Sequence, residues 1–66
     1  MSKYDVYVAG DCIAEHDDYE KARRDFYEAV RENPDYDTDV LSEDGETSLL
    51  AYDSNTKQVY DYSYRK

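Results

Sequence analysis

The stretch DDYEKARRDFYEAVRENP, residues 17–34, decides the fold that this sequence predicts. Its apolar and aromatic side chains recur at steps of three and four residues, the spacing of one stripe on an amphipathic helix. The stripe consists of Tyr19, Ala22, Phe26, Ala29 and Val30. Asp17 is the expected N-cap, and Glu20 three residues later fits a capping box. The helix should end at Asn33, because the residue before a proline is pushed out of the helical region.

Segments with the alternating pattern of strands flank this helix. Before it, YDVYV (4–8) and the short apolar CIA (12–14) are separated by Gly10 and Asp11, which offer a two-residue hairpin turn. This arrangement predicts a first hairpin on the N-terminal side of the helix.

After the helix, three further strands are expected in DVLSE (39–43), ETSLLAY (46–52) and KQVYDYSY (57–64), with turns at Asp44-Gly45 and at SNT (54–56). We therefore predict a single α+β domain over residues 1–66. One antiparallel sheet of four to five strands would carry a single helix packed on one face. The element order is ββαβββ or, if the first hairpin is weak, βαβββ.

The sequence leaves the sheet faces open. In one register Leu49, Ala51 and Val59 share the helix-facing side with Val40, and the other face carries Leu50, Tyr60 and Tyr62. A different length for the turn at 54–56 would exchange these faces, because a slip of one residue inverts every side chain of a strand.

Charge is the most unusual feature of the composition. Seventeen Asp and Glu face eight Lys and Arg, so the 66 residues carry a formal net charge of −9. Such a chain repels nucleic acid and anionic membranes, and a charged partner should be basic. Nine tyrosines argue against disorder. The absence of a long apolar run or a signal-peptide core predicts a soluble, cytoplasmic protein.

The acids are concentrated in two stretches without lysine or arginine, Lys3 to Lys21 and Arg31 to Lys57, which hold fourteen of the seventeen. Crowding like charges costs free energy that a cationic partner would offset. The closely spaced carboxylates also resemble the row of phosphates along DNA. The candidate partner-binding residues are Asp11, Glu15, Asp17, Asp18, Glu32, Asp35, Tyr36, Asp37, Asp39, Glu43, Asp44, Glu46 and Asp53. The alternative is an ordinary solvated surface.

Other chemistry finds less support. From Asp35 the spacing D-x-D-x-D, with Glu46 at the twelfth position, matches the acids of an EF-hand, but Val40 stands where that loop requires glycine. Cys12 and His16 are four residues apart and lack an orienting group, so Cys12 is expected to be a small core or semi-buried residue. We therefore expect no enzyme, no cofactor and no metal.

With its segments DYDTDVLSEDGE and GDCIAEHDDYE, the chain resembles in size, charge and element order the small acidic proteins of phages and mobile elements that imitate duplex DNA. That class includes anti-CRISPR proteins, anti-restriction proteins and uracil-DNA glycosylase inhibitors. The resemblance implies a monomeric, stoichiometric inhibitor in the cytoplasm of a bacterial host. Such an inhibitor occupies a basic DNA-binding surface and does not itself bind nucleic acid. More narrowly, it implies an anti-CRISPR protein at the duplex or PAM-reading surface of a Cas effector complex.

A rival interpretation comes from the tyrosines. Tyrosine offers contact area with a hydrogen-bonding tip, which is why interfaces favour it. About two-thirds of the nine are expected to serve the sheet and core. The remainder would suit an antitoxin-like or regulatory interaction module that binds through a tyrosine-rich sheet face.

Overall fold

The computed structural model of the chain describes residues 3–42 and 47–62. These residues form one helix and five strands in the order ββαβββ, which confirms the predicted α+β class. The elements are β1 (Tyr4–Val8), β2 (Asp11–His16), α1 (Tyr19–Glu32), β3 (Thr38–Ser42), β4 (Ser48–Asp53) and β5 (Gln58–Asp61). The turn predicted at Asp44-Gly45 lies outside the described residues, as does the end of the last predicted strand.

The five strands form a single antiparallel sheet in the order β2-β1-β3-β4-β5. The helix packs against one face, where it contacts β1, β2, β3 and β4. No helix within 3–42 and 47–62 combines the length and the apolar character that crossing a bilayer requires.

The helix begins one residue later than the sequence suggested. Asp18, not Asp17, is the N-cap, and its carboxylate accepts a hydrogen bond of 3.0 Å from the backbone nitrogen of Glu20. The third helical position is then Lys21, so the predicted capping box is wrong. The predicted end is confirmed, because Asn33 is the C-cap and its backbone nitrogen donates to the carbonyl of Ala29 at 2.7 Å.

The first hairpin turn also differs by one residue from the prediction. Its two central residues are Ala9 and Gly10 rather than Gly10 and Asp11, and Asp11 already belongs to β2. Both φ angles are positive, 52° and 87°. Two positive values are what a type I′ turn requires, since its twist matches that of the flanking strands.

The core lies between α1 and the helix-facing side of the sheet. Its buried members are Val6, Ala22, Phe26, Val40, Leu50 and Tyr52. Phe26 is fully buried, which contributes about 1.5–3 kcal/mol relative to an exposed side chain. The helical stripe predicted from the sequence therefore does face the core.

The faces of β4, which the sequence left open, differ from the register described first. Leu50 and Tyr52, not Leu49 and Ala51, share the helix side with Val40. A register shift between Val40 and Leu41 is the cause: Val40 pairs with Leu50, whereas the next residue pairs with Ser48. Such a bulge places an extra residue in one strand and inverts the alternation beyond it.

The predicted faces of β5 agree with the pairing. Val59 pairs with Tyr52 and therefore lies on the helix side, and Tyr60 pairs with Ala51 on the other side. The helix does not reach β5, so Val59 remains 36% exposed.

Candidate functional site

The strand register gathers several candidate acids at one end of the sheet. Val8 pairs with Asp11 on one side and with Thr38 on the other, and Thr38 pairs with Tyr52. Asp37 directly precedes Thr38, and Asp53 directly follows Tyr52, so these acids share that end.

Two more acids, at and just beyond the C-terminal end of the helix, lie at the same end of the sheet. The hydroxyl of Tyr52 donates a hydrogen bond of 2.8 Å to the carbonyl of Pro34, which ties the end of α1 to β4. Glu32 and Asp35 flank this point along the chain. We call the resulting surface the acidic end, and it consists of Asp11, Glu32, Asp35, Tyr36, Asp37 and Asp53.

Asp37 is the acid of this surface that is held most firmly. Its Oδ1 accepts hydrogen bonds from the backbone nitrogen of Ser54 at 2.9 Å and from the Ser54 hydroxyl at 2.8 Å. These two donors lower the pKa of Asp37, because they stabilise its ionised form. The carboxylate is therefore charged and fixed in position at neutral pH.

Among the residues that the structure describes, two cations lie at the acidic end. Lys57 places its Nζ 3.2 Å from Oδ1 of Asp35 and 3.0 Å from the carbonyl of Pro34. Arg31 stands in the last turn of α1. With five carboxylates against two cations, the acidic end is net negative. The Lys57–Asp35 pair is exposed to solvent, so its attraction is weak.

Asp39 belongs to a different surface. It pairs with Tyr7 and with Ala51, on the side of the sheet away from the helix. We call this side the open face, and its residues are Asp5, Tyr7, Cys12, Glu15, Asp39, Leu41, Ala51 and Tyr60. Desolvation of the half-buried carboxyl, together with the charge of Asp37, raises the pKa of Asp39.

The two base-free stretches do not form one continuous row of anions. Asp17 and Asp18 follow His16, which pairs with Tyr4 at the opposite end of the sheet. A strand of five residues separates the two ends by about 13 Å. Glu15 lies on the open face, and Asp18 is engaged as the helix cap. Glu43, Asp44 and Glu46 lie outside the described residues.

The geometry disfavours the calcium interpretation. Residues 38–42 are strand β3, whereas an EF-hand needs a loop that wraps around the ion there. Asp37 and Asp39 are directed to Ser54 and to the open face instead.

Cys12 and His16 do not form a catalytic pair, because they lie on opposite faces of the sheet. The ring Nε2 of His16 contacts Oδ2 of Asp25 on the helix. Cys12 is exposed, contrary to the expectation of a semi-buried side chain. Desolvation, with the nearby charges of Asp5 and Glu15, raises the pKa of its thiol.

Three possible metal ligands lie close together on the open face. Asp5, Cys12 and Glu15 each offer one ligand atom, and these atoms lie within 4.8 Å of one another. The set mixes one soft sulfur with two hard oxygens, so it matches no single preferred metal well. Exposed acids commonly adopt such a spacing without an ion.

Sequence reasoning missed two residues that shape the acidic end, Ser54 and Lys57. Both lie in the turn between β4 and β5, and they contact residues about twenty positions earlier in the chain. The sequence DSNTK indicates only the turn. The contacts depend on β3 and β4 pairing, which local composition does not reveal.

Comparison of the chain with protein-family models, curated proteins and solved structures finds no match.

Proposed function

We propose that this protein binds a cationic, DNA-binding surface of another protein through its acidic end and thereby inhibits DNA binding there. The observation that carries the proposal is the grouping of Asp11, Glu32, Asp35, Asp37 and Asp53 at one end of the sheet, drawn from four separate segments of the chain. Carboxylates brought together in this way recreate the local charge density of phosphates.

The acidic end also contains one carboxylate that is held in a fixed position and one exposed tyrosine that could contact a partner. Asp37 is fixed by Ser54, so little side-chain entropy remains to be lost when a lysine or arginine binds it. Tyr36 is 55% exposed within the same surface and adds contact area at low entropic cost. The net charge of −9 would steer the encounter and make it sensitive to salt.

The narrower target follows from the resemblance described above. Anti-CRISPR proteins of this type are small acidic inhibitors, and a Cas effector complex presents a basic surface that reads the PAM and its duplex. We propose this as the first target to examine, ahead of restriction enzymes and uracil-DNA glycosylase.

A second candidate function is supported by the open face. Tyr7, Leu41, Ala51 and Tyr60 lie on this face around the half-buried Asp39, no helix among the described residues covers them, and Tyr60 is 40% exposed. Docking of a partner on this area would describe a non-mimic interaction module, antitoxin-like or regulatory. Because tyrosine rings and aliphatic side chains would supply most of the contact area, its affinity should depend less on ionic strength than binding through the acidic end.

The proposal is tested by capture of targets from a bacterial lysate, with duplex DNA as competitor. The expected result is recovery of a DNA-binding protein that duplex DNA displaces. For the captured target, the variant Asp11→Asn/Asp35→Asn should lose about tenfold or more in affinity at low salt. The control variant Asp17→Asn/Glu20→Gln changes the net charge equally at the opposite end and should bind as the wild type does.

Equal losses in the two variants would show that overall charge, not the acidic end, drives the interaction. Affinity that is independent of salt, together with sensitivity to Tyr60→Ser, would favour the open face instead.

A further inference from the structure

One edge of the sheet is available for pairing. β2 is the outermost strand, and within residues 3–42 and 47–62 it pairs with β1 only. An edge strand presents backbone N–H and C=O groups on its outer side, and these can pair with an added strand. Ile13 lies in this strand at a register shift and is 52% exposed, which is unusual for a large aliphatic side chain.

A groove runs along the same edge, between β2 and the C-terminal half of α1. Its volume is about 260 Å³, and strand residues Ile13 and Ala14 form one wall. Three carboxylates of the helix form the other wall, Asp25, Glu28 and Glu32. Their spacing of three and four residues places them on one side of the helix.

The groove is acidic. Its described lining residues include neither lysine nor arginine. Asp25 contacts His16 of β2, so this carboxylate is oriented by the strand itself. Glu28 and Glu32 are exposed and available to a ligand.

We propose that the β2 edge binds an extended segment of a partner protein that is rich in lysine or arginine, by β-strand addition. The backbone of this segment would pair with β2. On the helix side, the aliphatic stems of its lysine or arginine side chains would contact Ile13, and their charged ends would contact Glu28 and Glu32 in the groove. The proposal does not depend on DNA mimicry by the acidic end.

The geometry favours alternating basic residues in the partner. Side chains of an added strand point alternately to the two faces of the sheet. On the helix side they meet the acidic groove, so a basic residue is favoured at every second position. The opposite edge strand, β5, does not contact the helix within residues 3–42 and 47–62.

The probe that tests this is a synthetic peptide, Lys-Val-Lys-Val-Lys-Val-Lys with blocked ends, titrated into the isolated protein and followed by backbone amide NMR. The expected result is saturable binding that slows hydrogen exchange of amides in residues 11–16. A second peptide with N-methyl groups on alternate amides keeps the charge but removes half of the strand hydrogen bonds. It should bind at least about tenfold more weakly.

Protein variants complete the test. Ile13→Ser/Glu28→Gln should weaken binding of the first peptide by about tenfold. The matched control Val59→Ser/Glu20→Gln removes one exposed apolar group and one charge elsewhere and should leave binding unchanged.

The proposal is overturned if the N-methylated peptide binds equally well, or if the peptide perturbs residues 35–37 and 53–57 instead of β2. Protection of β2 that appears on concentrating the protein without peptide would identify a second copy as the occupant and would also overturn it.

Discussion

Asp37 and Ser54 are joined by two hydrogen bonds, because one oxygen of the carboxylate accepts from both the backbone nitrogen and the hydroxyl of the serine. The pair connects the entry to β3 with the turn that follows β4. It therefore holds two acidic segments of the acidic end together, and its strength depends on the charge of Asp37.

Removal of the Ser54 hydroxyl should raise the pKa of Asp37 toward its ordinary value. The two donors lower this pKa in the folded protein, so the stabilisation is present above the unfolded pKa and is lost as the pH falls through the folded pKa. Ser54→Ala should therefore destabilise the protein at neutral pH and have a smaller effect in acid. NMR titration of the Asp37 carboxyl carbon measures the shift directly. Thr56→Ala in the same turn is the control, and a pKa of Asp37 that does not move in Ser54→Ala would contradict the assignment.

Neutralisation of Asp39 should stabilise the fold. Burial and the charge of Asp37 raise the pKa of Asp39, so ionisation of this group disfavours folding. Asp39→Asn should raise the free energy of unfolding at pH 7 by on the order of half a kcal/mol, because solvent screens a half-exposed charge. The gain should shrink as the pH falls through the folded pKa and vanish below about pH 3, under the unfolded value. Urea unfolding at both pH values measures it, and an equal gain at both would indicate packing rather than charge.

Asparagine at position 9 should strengthen the first hairpin. Ala9 adopts a left-handed conformation at φ 52°, which is unfavourable for a residue with an ordinary Cβ. Asn-Gly is the preferred pair for a type I′ turn, so Ala9→Asn should raise the free energy of unfolding by about 0.5–1 kcal/mol. Ala9→Val should lower it, because branching at Cβ worsens the clash. Thermal unfolding of the two variants would refute the turn assignment if both shifted in the same direction.

The Thr38 hydroxyl is buried on the helix-facing side of the sheet, in the row where Thr38 pairs with Val8 and Tyr52. The residue is fully buried, and its Oγ1 has no hydrogen-bond partner within residues 3–42 and 47–62. Thr38→Val keeps the shape and removes the unsatisfied oxygen, so we expect a gain of about 1 kcal/mol in urea unfolding. Thr38→Ser keeps the oxygen and loses a methyl group and should be destabilising. A loss of stability in Thr38→Val would show that the hydroxyl has a partner.

The sequence predicted the elements well because each has a local cause. The stripe from Tyr19 to Val30 and the stop at Pro34 lie within a single segment, and both are confirmed. The errors arose where one residue changes the outcome. The N-cap is Asp18 rather than the predicted Asp17, and the sequence could not distinguish them because two adjacent aspartates are equally good caps.

The faces of β4 could not be predicted for a related reason. A bulge beside Val40 inverts the alternation, and nothing in the apolar pattern of Leu49, Leu50 and Ala51 marks its position. The acidic end is even harder to predict from the sequence than the faces of β4. It exists because Asp11 and Asp37 are brought together across β1, and that neighbourhood depends on the strand order.

The place of β1 in the sheet has a consequence for how the chain folds. β1 precedes β2 and β3 in the sequence, yet it lies between them in the sheet, and its pairing with β3 must wait until the whole helix has been synthesised. Pairing of strands that are far apart in the sequence is slow compared with the pairing of a local hairpin. During synthesis on the ribosome, the hairpin of β1 and β2 would therefore emerge before β3, and β1 would have only one of its two neighbouring strands until β3 leaves the exit tunnel.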